Sequence, residues 1–302
     1  MFIKILYCLA VLLGLSLLPP CRAYSASDEA SAFVEALADE SADEWADAGW
    51  DSEMDAPPDM FERPMLWFPV GECLTYKIRW GPFTVGTTRV VSEWIREDGR
   101  DLVAIRATTR STPFFDRIYH IDDFLESIVD PDTFIPLRFT KRLNEGSSSI
   151  HEITTFDHES GMACWTQLLK DVRKEFAIEP DTRDLLSFMF YIRSRKFEPE
   201  KKYHFRVMAD DKIYDLDVVS GTHKTIKLPN FGRIRSLRLD PEANFQGLFV
   251  RVGKVRVWVS DDDRFLCTQA AVGIPLGTVK AILVKVEGPG YDFWSLAGED
   301  RD

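Results

Sequence analysis

The chain has 302 residues, of which 45% are hydrophobic and 28% charged, and its formal net charge is -12. That length and apolar content exclude a wholly disordered chain, and the acidic balance disfavours a nucleic-acid partner. Its five cysteines are too scattered to form a disulfide framework, so the fold must rest on a hydrophobic core.

In chain order, the first element is a leader. Met1 to Lys4 are positively charged, Ile5 to Leu18 are apolar, Pro19-Pro20 break the run, and Cys21-Arg22-Ala23 offers a small-residue cleavage site. This is the order of a secretory signal peptide over residues 1–23. The run is shorter than the roughly 20 apolar residues of a membrane span. The expectation is therefore an exported protein, most simply periplasmic, with no transmembrane span in the mature chain. Proline directly before Cys21 fits a lipoprotein signal poorly, so no lipid anchor is expected.

Residues 24–62 read as an acidic, disordered tail. Between Asp28 and Glu62 stand 13 acidic residues and no Lys or Arg. Such a block repels itself and resists collapse. Taking these 13 from the chain's 49 acids, and Lys4 and Arg22 from its 37 bases, leaves 36 against 35 for the remainder. The body is thus nearly neutral. Phe33, Leu37, Trp45 and Trp50 punctuate the tail and would suit a docking segment for an envelope protein. A solvating linker is the simpler reading.

Residues 63–295 read as a single β-rich domain, with a flexible C-terminus at 296–302. Leu74, Tyr76, Ile78 and Trp80 alternate with Thr75, Lys77 and Arg79. Period-two alternation marks a strand with one buried and one wet face. The pattern recurs at Ile135-Leu137-Phe139, Tyr203-Phe205-Val207, Tyr214-Leu216-Val218 and Val255-Val257-Val259. Short turns such as Gly81-Pro82, Asp98-Gly99, Asp210-Asp211 and Ser220-Gly221 separate these runs, as in an antiparallel meander. One segment breaks the pattern. Asp181-Thr182 can cap a helix running to about Lys196, with Pro199 beyond it. Leu185, Leu186, Phe188, Met189, Phe190, Tyr191 and Ile192 make it apolar nearly all round, so it must be surrounded. The predicted fold is mainly β: a curved antiparallel sheet or half-open barrel wrapping one central apolar helix.

Several of these residues carry a family pattern. Phe68, Gly71-Glu72, Leu74, Tyr76, Ile78, Trp80-Gly81 and Gly86 form its start, followed by Phe115-Asp116, Ile118-Tyr119, Ser127, Asp130, Pro136 and Phe139. Thr154 to Asp157, Asp184-Leu-Leu-Ser187, Tyr191, Arg193, Val257-Trp258, Ser260-Asp261-Asp262 and Arg264 complete it. From about Phe68 to about Leu283 the chain resembles the bacterial exported family catalogued as domain of unknown function 3108. Phe265-Leu266-Cys267 stands where that family usually has a proline. The resemblance implies a cell-envelope protein of mainly β structure, distantly similar to the periplasmic lipoprotein carriers, and it assigns no catalytic residues.

The chemistry-bearing residues are sparse. No two of the five histidines have the spacing of a helical zinc pair. His120 and Asp122 would share a strand face, and a metal would still need a third ligand from elsewhere. Ser260 to Asp263 lacks the spaced acids and glycine of a calcium loop and reads as a hairpin turn with a salt bridge to Arg264. There is no nucleophile elbow. No catalytic residue, metal or cofactor is expected. Lys227, Arg233 and Arg235, and again Arg251, Lys254 and Arg256, are modest basic stretches that would suit an anionic headgroup better than nucleic acid. Tyr76, Trp80, Tyr119 and Trp258 are aromatics suited to line an apolar pocket, and are the candidate ligand-binding residues. The leading expectation is a non-enzymatic envelope protein that binds lipid or another apolar ligand. A structural or protein-interaction module with a filled core comes second, and an envelope hydrolase third. Cys73, Cys164 and Cys267 read as small buried side chains.

Overall fold

The structure is a computed structural model and describes residues 63–243, 255–274, 277–289 and 294. The leader, the acidic tail, Arg251, Lys254 and residues 296–302 lie outside the described residues.

Among the described residues fifteen strands form one sheet. The first meander is β1 (Cys73–Trp80), β2 (Phe83–Glu97), β3 (Arg100–Ser111), β4 (Ile121–Val129), β5 (Pro136–Glu145), β6 (Ser148–Asp157), β7 (Met162–Gln167) and β8 (Val172–Ala177). A short helix, α1 (Pro113–Asp116), joins β3 to β4. The second meander is β9 (Arg183–Asp184), β10 (Lys202–Ala209), β11 (Lys212–Leu228), β12 (Gly232–Ala243), β13 (Val255–Ser260), β14 (Cys267–Ile274) and β15 (Gly277–Glu287). The sheet runs from β8 through β1, then from β15 to β9, so the first and last strands pair at its middle. All pairings are antiparallel except that of β9 with β10.

The alternation in β1 appears as expected: Leu74, Tyr76 and Ile78 are buried, while Lys77 and Arg79 are exposed. Register shifts at Thr75/Tyr76, Ile78/Arg79, Ile128/Val129, Ser220/His223 and Trp258/Val259 give the sheet its curvature, because each bulge bends its strand. Gly86 sits beside such a bulge. A Cβ there would meet the Arg110 carbonyl oxygen at 2.8 Å, so only glycine lets β2 and β3 approach this closely.

The sheet is open, and side chains of β5 and β8 reach across to the β10–β11 turn. Lys141 on β5, with a side chain 1% exposed, binds both Glu152 and Asp210 at the β10–β11 turn. Lys174 on β8 binds Asp211 in the same turn. Buried charges of this kind survive only when paired.

The predicted helix is shorter than its apolar run. It is α2 (Leu185–Tyr191), continued by one 3₁₀ turn over Ile192–Ser194. Its cap is Asp184, not Asp181-Thr182: Asp184 Oδ1 accepts from the Ser187 N–H at 3.0 Å. Thr182 instead closes a turn, its Oγ1 accepting from Glu179 N at 3.0 Å. Leu186, Ser187, Phe188 and Phe190 are buried, and Leu185, Met189, Tyr191 and Ile192 are half-buried. The segment before β1 fastens α2, with Trp67 Nε1 donating to Phe190 O at 2.8 Å and the Phe68 ring 4.8 Å from Phe190.

Candidate functional site

An apolar cavity of about 170 Å³ is lined by α2 and by the facing side chains of the sheet. Leu185, Phe188, Met189 and Ile192 form its helical wall. The opposite wall alternates along the strands: Leu74 and Tyr76 from β1, Val207 from β10, Leu216 and Val218 from β11, and Val255, Val257 and Val259 from β13. Phe265, Leu266 and Cys267 close one side. The residues of β13 enter at every second position because successive side chains leave opposite faces.

One end of the cavity is charged. Arg193, just beyond α2, lines it and binds Glu72 through two contacts: Nη1 to Oε1, and Nη2 to Oε2 at 3.2 Å. Arg264 Nη2 donates to the same Oε2 at 3.1 Å, and Arg193 Nε donates to the Arg264 carbonyl at 3.1 Å. Glu72 is fully buried, and both guanidinium groups are nearly so. One carboxylate therefore faces two cations, and the triad itself carries a net positive charge. Gly71 delivers Glu72 to this position. Its φ of 103° lies where glycine is favoured, and its N–H donates to Ser92 O at 2.8 Å. The Arg193 guanidinium also stands 5.1 Å from the Phe190 ring centre and 5.3 Å from that of Phe68.

Tyr76 and Cys267 belong to the same end. Burial, reinforced by Cys267, holds the Tyr76 phenol well above its usual range. Burial pushes the Cys267 thiol up to about 12. Both are neutral at pH 7 and present a hydroxyl and a thiol, not anions. Behind the helix, Ser127 Oγ donates to Asp184 Oδ2 at 2.5 Å and Ser187 Oγ donates to the same oxygen at 2.9 Å. Burial still raises Asp184 to about 6, because removing the carboxylate from water outweighs these hydrogen bonds.

A family model described as "Protein of unknown function (DUF3108)" matches residues 75–284, well over half of the chain. The chain belongs to the DUF3108 family. Arg193 and Arg264 of this DUF3108 chain fall inside the matched span, and Glu72 lies just before it. Among solved structures, the chain is similar to a "Beta-barrel-like Protein of Domain of Unknown Function DUF1849" from Brucella abortus. The identity is 12% and the TM-score 0.48, over 72% of this chain and 97% of that one. A comparison with the curated proteins gives no match.

The four aromatics singled out in the sequence of this DUF3108 chain do not meet at one place. Tyr76 lines the cavity. Trp80, on the same face of β1, packs at the rim with Phe115 and Val257. Trp258 leaves β13 on the face opposite Val257 and Val259 and joins the main core cluster. Tyr119 lies in the β3–β4 connection beside two buried carboxyls, Asp123 and Glu145. Burial first, then the neighbouring Glu145, raises Asp123; burial raises Glu145 in turn.

His120 and Asp122 go separate ways: His120 Nδ1 pairs with Asp116 at 2.8 Å, and Asp122 accepts from Arg110 Nε at 2.9 Å. Among the described residues no cluster of three His, Cys, Asp or Glu is placed to hold a metal. The salt bridge expected between the Ser260–Asp263 turn and the Arg264 side chain does not form in that way. Asp262 Oδ1 accepts from the Arg264 backbone N–H at 3.1 Å, while the guanidinium turns inward to Glu72. Asp261 pairs instead with Arg235 at 2.8 Å. Cys73, Cys164 and Cys267 are free thiols. No helix among the described residues is long and apolar enough to cross a membrane.

Proposed function

We propose that this protein is an exported, non-enzymatic carrier or sensor that holds an amphipathic molecule with its apolar end in the cavity behind α2. In this reading the curved sheet wraps α2, and the helix serves as the movable wall of the binding site. The observation that carries the reading is the joining of an apolar cavity to a buried, net-positive Glu72–Arg193–Arg264 triad. A filled scaffold has no use for such a space, since interiors are otherwise close-packed. The volume of about 170 Å³ is near that of apolar cavities, about 150 Å³, that take up benzene. It therefore suits roughly six carbon atoms, with the remainder of a longer chain outside. The Arg193 guanidinium and the neutral donors Tyr76 and Cys267, all in the lining, favour an anionic or acceptor-rich head, such as a carboxylate. Export rests on the leader and places the ligand in the cell envelope.

Native mass spectrometry and calorimetric titration with alkyl carboxylates from six to twelve carbons test the reading. One molecule should bind per chain, with affinity levelling once the cavity is filled. Ala270, which is buried and lines the cavity, offers the control. Ala270→Leu should occupy much of the space and reduce uptake about tenfold or more, while the melting temperature holds. No uptake by the unaltered protein at any chain length, or equal uptake by the variant, would defeat the proposal.

A further inference from the structure

Of the six large apolar side chains exposed among the described residues, three gather at one rim of the sheet. Phe83 opens β2 directly after the β1–β2 turn and is 57% exposed; Phe114 and Ile118, in the β3–β4 connection, are 68% and 52% exposed. Phe83 and Phe114 form one patch through half-buried Phe115, and Ile118 N–H donates to the Phe115 carbonyl at 2.9 Å. The Phe115 ring centre lies 6.3 Å from that of Phe83 and 5.3 Å from that of Phe114. Phe115 is itself anchored in the cluster of Ile78, Val85 and Val279 that fills this end of the sheet. The loops are also tied by backbone, with Thr112 N–H donating to Val85 O at 3.0 Å.

Three exposed cations stand on the elements that carry the patch. Arg79 sits one residue before the β1–β2 turn, Lys280 is its cross-strand partner, and Arg117 follows α1. Among the described residues none of these three has an acidic partner, and Arg79 donates only to the Pro82 carbonyl, at 3.2 Å. The single acid on α1, Asp116, is already engaged by Ser111 Oγ at 2.6 Å and by His120.

We infer that this rim is a membrane-docking surface: Phe83, Phe114 and Ile118 enter the interface of an anionic bilayer while Arg79, Arg117 and Lys280 meet its headgroups. Exposed aromatic and aliphatic side chains on a packed base, with unpaired cations on the same rim elements, match the amphipathic character of a lipid interface. The side chains are exposed on two adjacent chain reversals at the sheet end, so the geometry suits a fluid surface better than a peptide. The strands would stand end-on to the membrane. The inference goes beyond ligand binding and does not depend on it, although Val257 belongs both to the rim cluster and to the cavity wall.

The test is sedimentation of the protein, purified from the cells that make it, with vesicles of phosphatidylglycerol and phosphatidylethanolamine, against vesicles of phosphatidylcholine alone. Binding should favour the anionic vesicles and weaken at 0.5 M salt. Withdrawing two phenylalanines should lower partitioning on the order of a hundredfold in the double variant Phe83→Ser, Phe114→Ser. The double variant Arg79→Glu, Arg117→Glu should lose at least about fivefold per charge and most of the salt dependence. All four positions are exposed, so far-ultraviolet circular dichroism should be unchanged. The inference is overturned if the unaltered protein ignores anionic vesicles, or if the serine variant binds as well as the original. It is equally overturned if binding appears only after residues 24–62 are removed, which would make the acidic tail the occupant of the rim.

Discussion

Replacing Glu72 by glutamine keeps the shape of the side chain and removes the carboxylate that bridges Arg193 and Arg264. The side chains of these arginines are 5% and 9% exposed, so neither can recover its lost partner from water. Breaking a buried pair by removing one member costs about 3–5 kcal/mol, because the remaining charge is left uncompensated. For a domain of this size each kcal/mol lowers the melting temperature by about 2–4 °C, so the midpoint should fall by about 6–20 °C. Urea unfolding of Glu72→Gln, with the exposed Lys285–Glu287 pair as reference, measures this directly. Lys285→Met should change stability by less than about 1 kcal/mol. Adding Arg264→Met to Glu72→Gln should cost less than the sum of the two single changes, since both act on one cluster. A loss below about 1 kcal/mol for Glu72→Gln, or strict additivity in the cycle, would refute the view that these three residues form one buried unit.

Two further expectations concern titration. Asp184 is raised in the folded state to about 6, so between roughly pH 4 and 6 the folded protein holds a proton that the unfolded chain releases. The contribution of Asp184 should therefore be greatest below that window and decline by about 3 kcal/mol as pH rises through it, with Asp123 and Glu145 acting in the same direction at higher pH; Asp184→Asn should flatten the Asp184 step in urea titrations, and an unchanged slope would refute the assignment. Cys267, raised to about 12, should resist iodoacetamide at pH 8 in the native protein and react at the ordinary rate once unfolded, as peptide mass mapping would show; rapid native labelling would mean that the cavity floor is open to water.

The strands were legible because each is a local pattern. Leu74, Tyr76 and Ile78 announce a buried face with no information from elsewhere. The helix was legible in kind but not in length: the apolar run continues to Ile192, yet the chain must turn at Ser194 to reach β10, and tertiary packing overrides propensity. Tyr76 stands out in the sequence as an aromatic on a strand face, and it lines the cavity, whereas Trp80, Tyr119 and Trp258 carry the same signal and are absent from the lining. The Glu72–Arg193–Arg264 triad was not found, because its members lie far apart in the chain and each alone reads as an ordinary surface charge. One signal was present. Arg193 follows directly on an apolar helix, Glu72 precedes a buried strand, and both belong to the motif residues that carried the family resemblance.

The central position of β1, between β2 and β15, bears on how the molecule is made. Its partner strand emerges last, about two hundred residues later, so an early edge stands unmet throughout synthesis. At about 5–20 residues per second that interval is some tens of seconds. Until β15 arrives, each meander is a separate ribbon with a sticky border in the middle of the eventual fold. A chain cut short before Gly277 would keep that border permanently and should be a substrate for proteases or a seed for clumping, not a slightly weaker version of the whole.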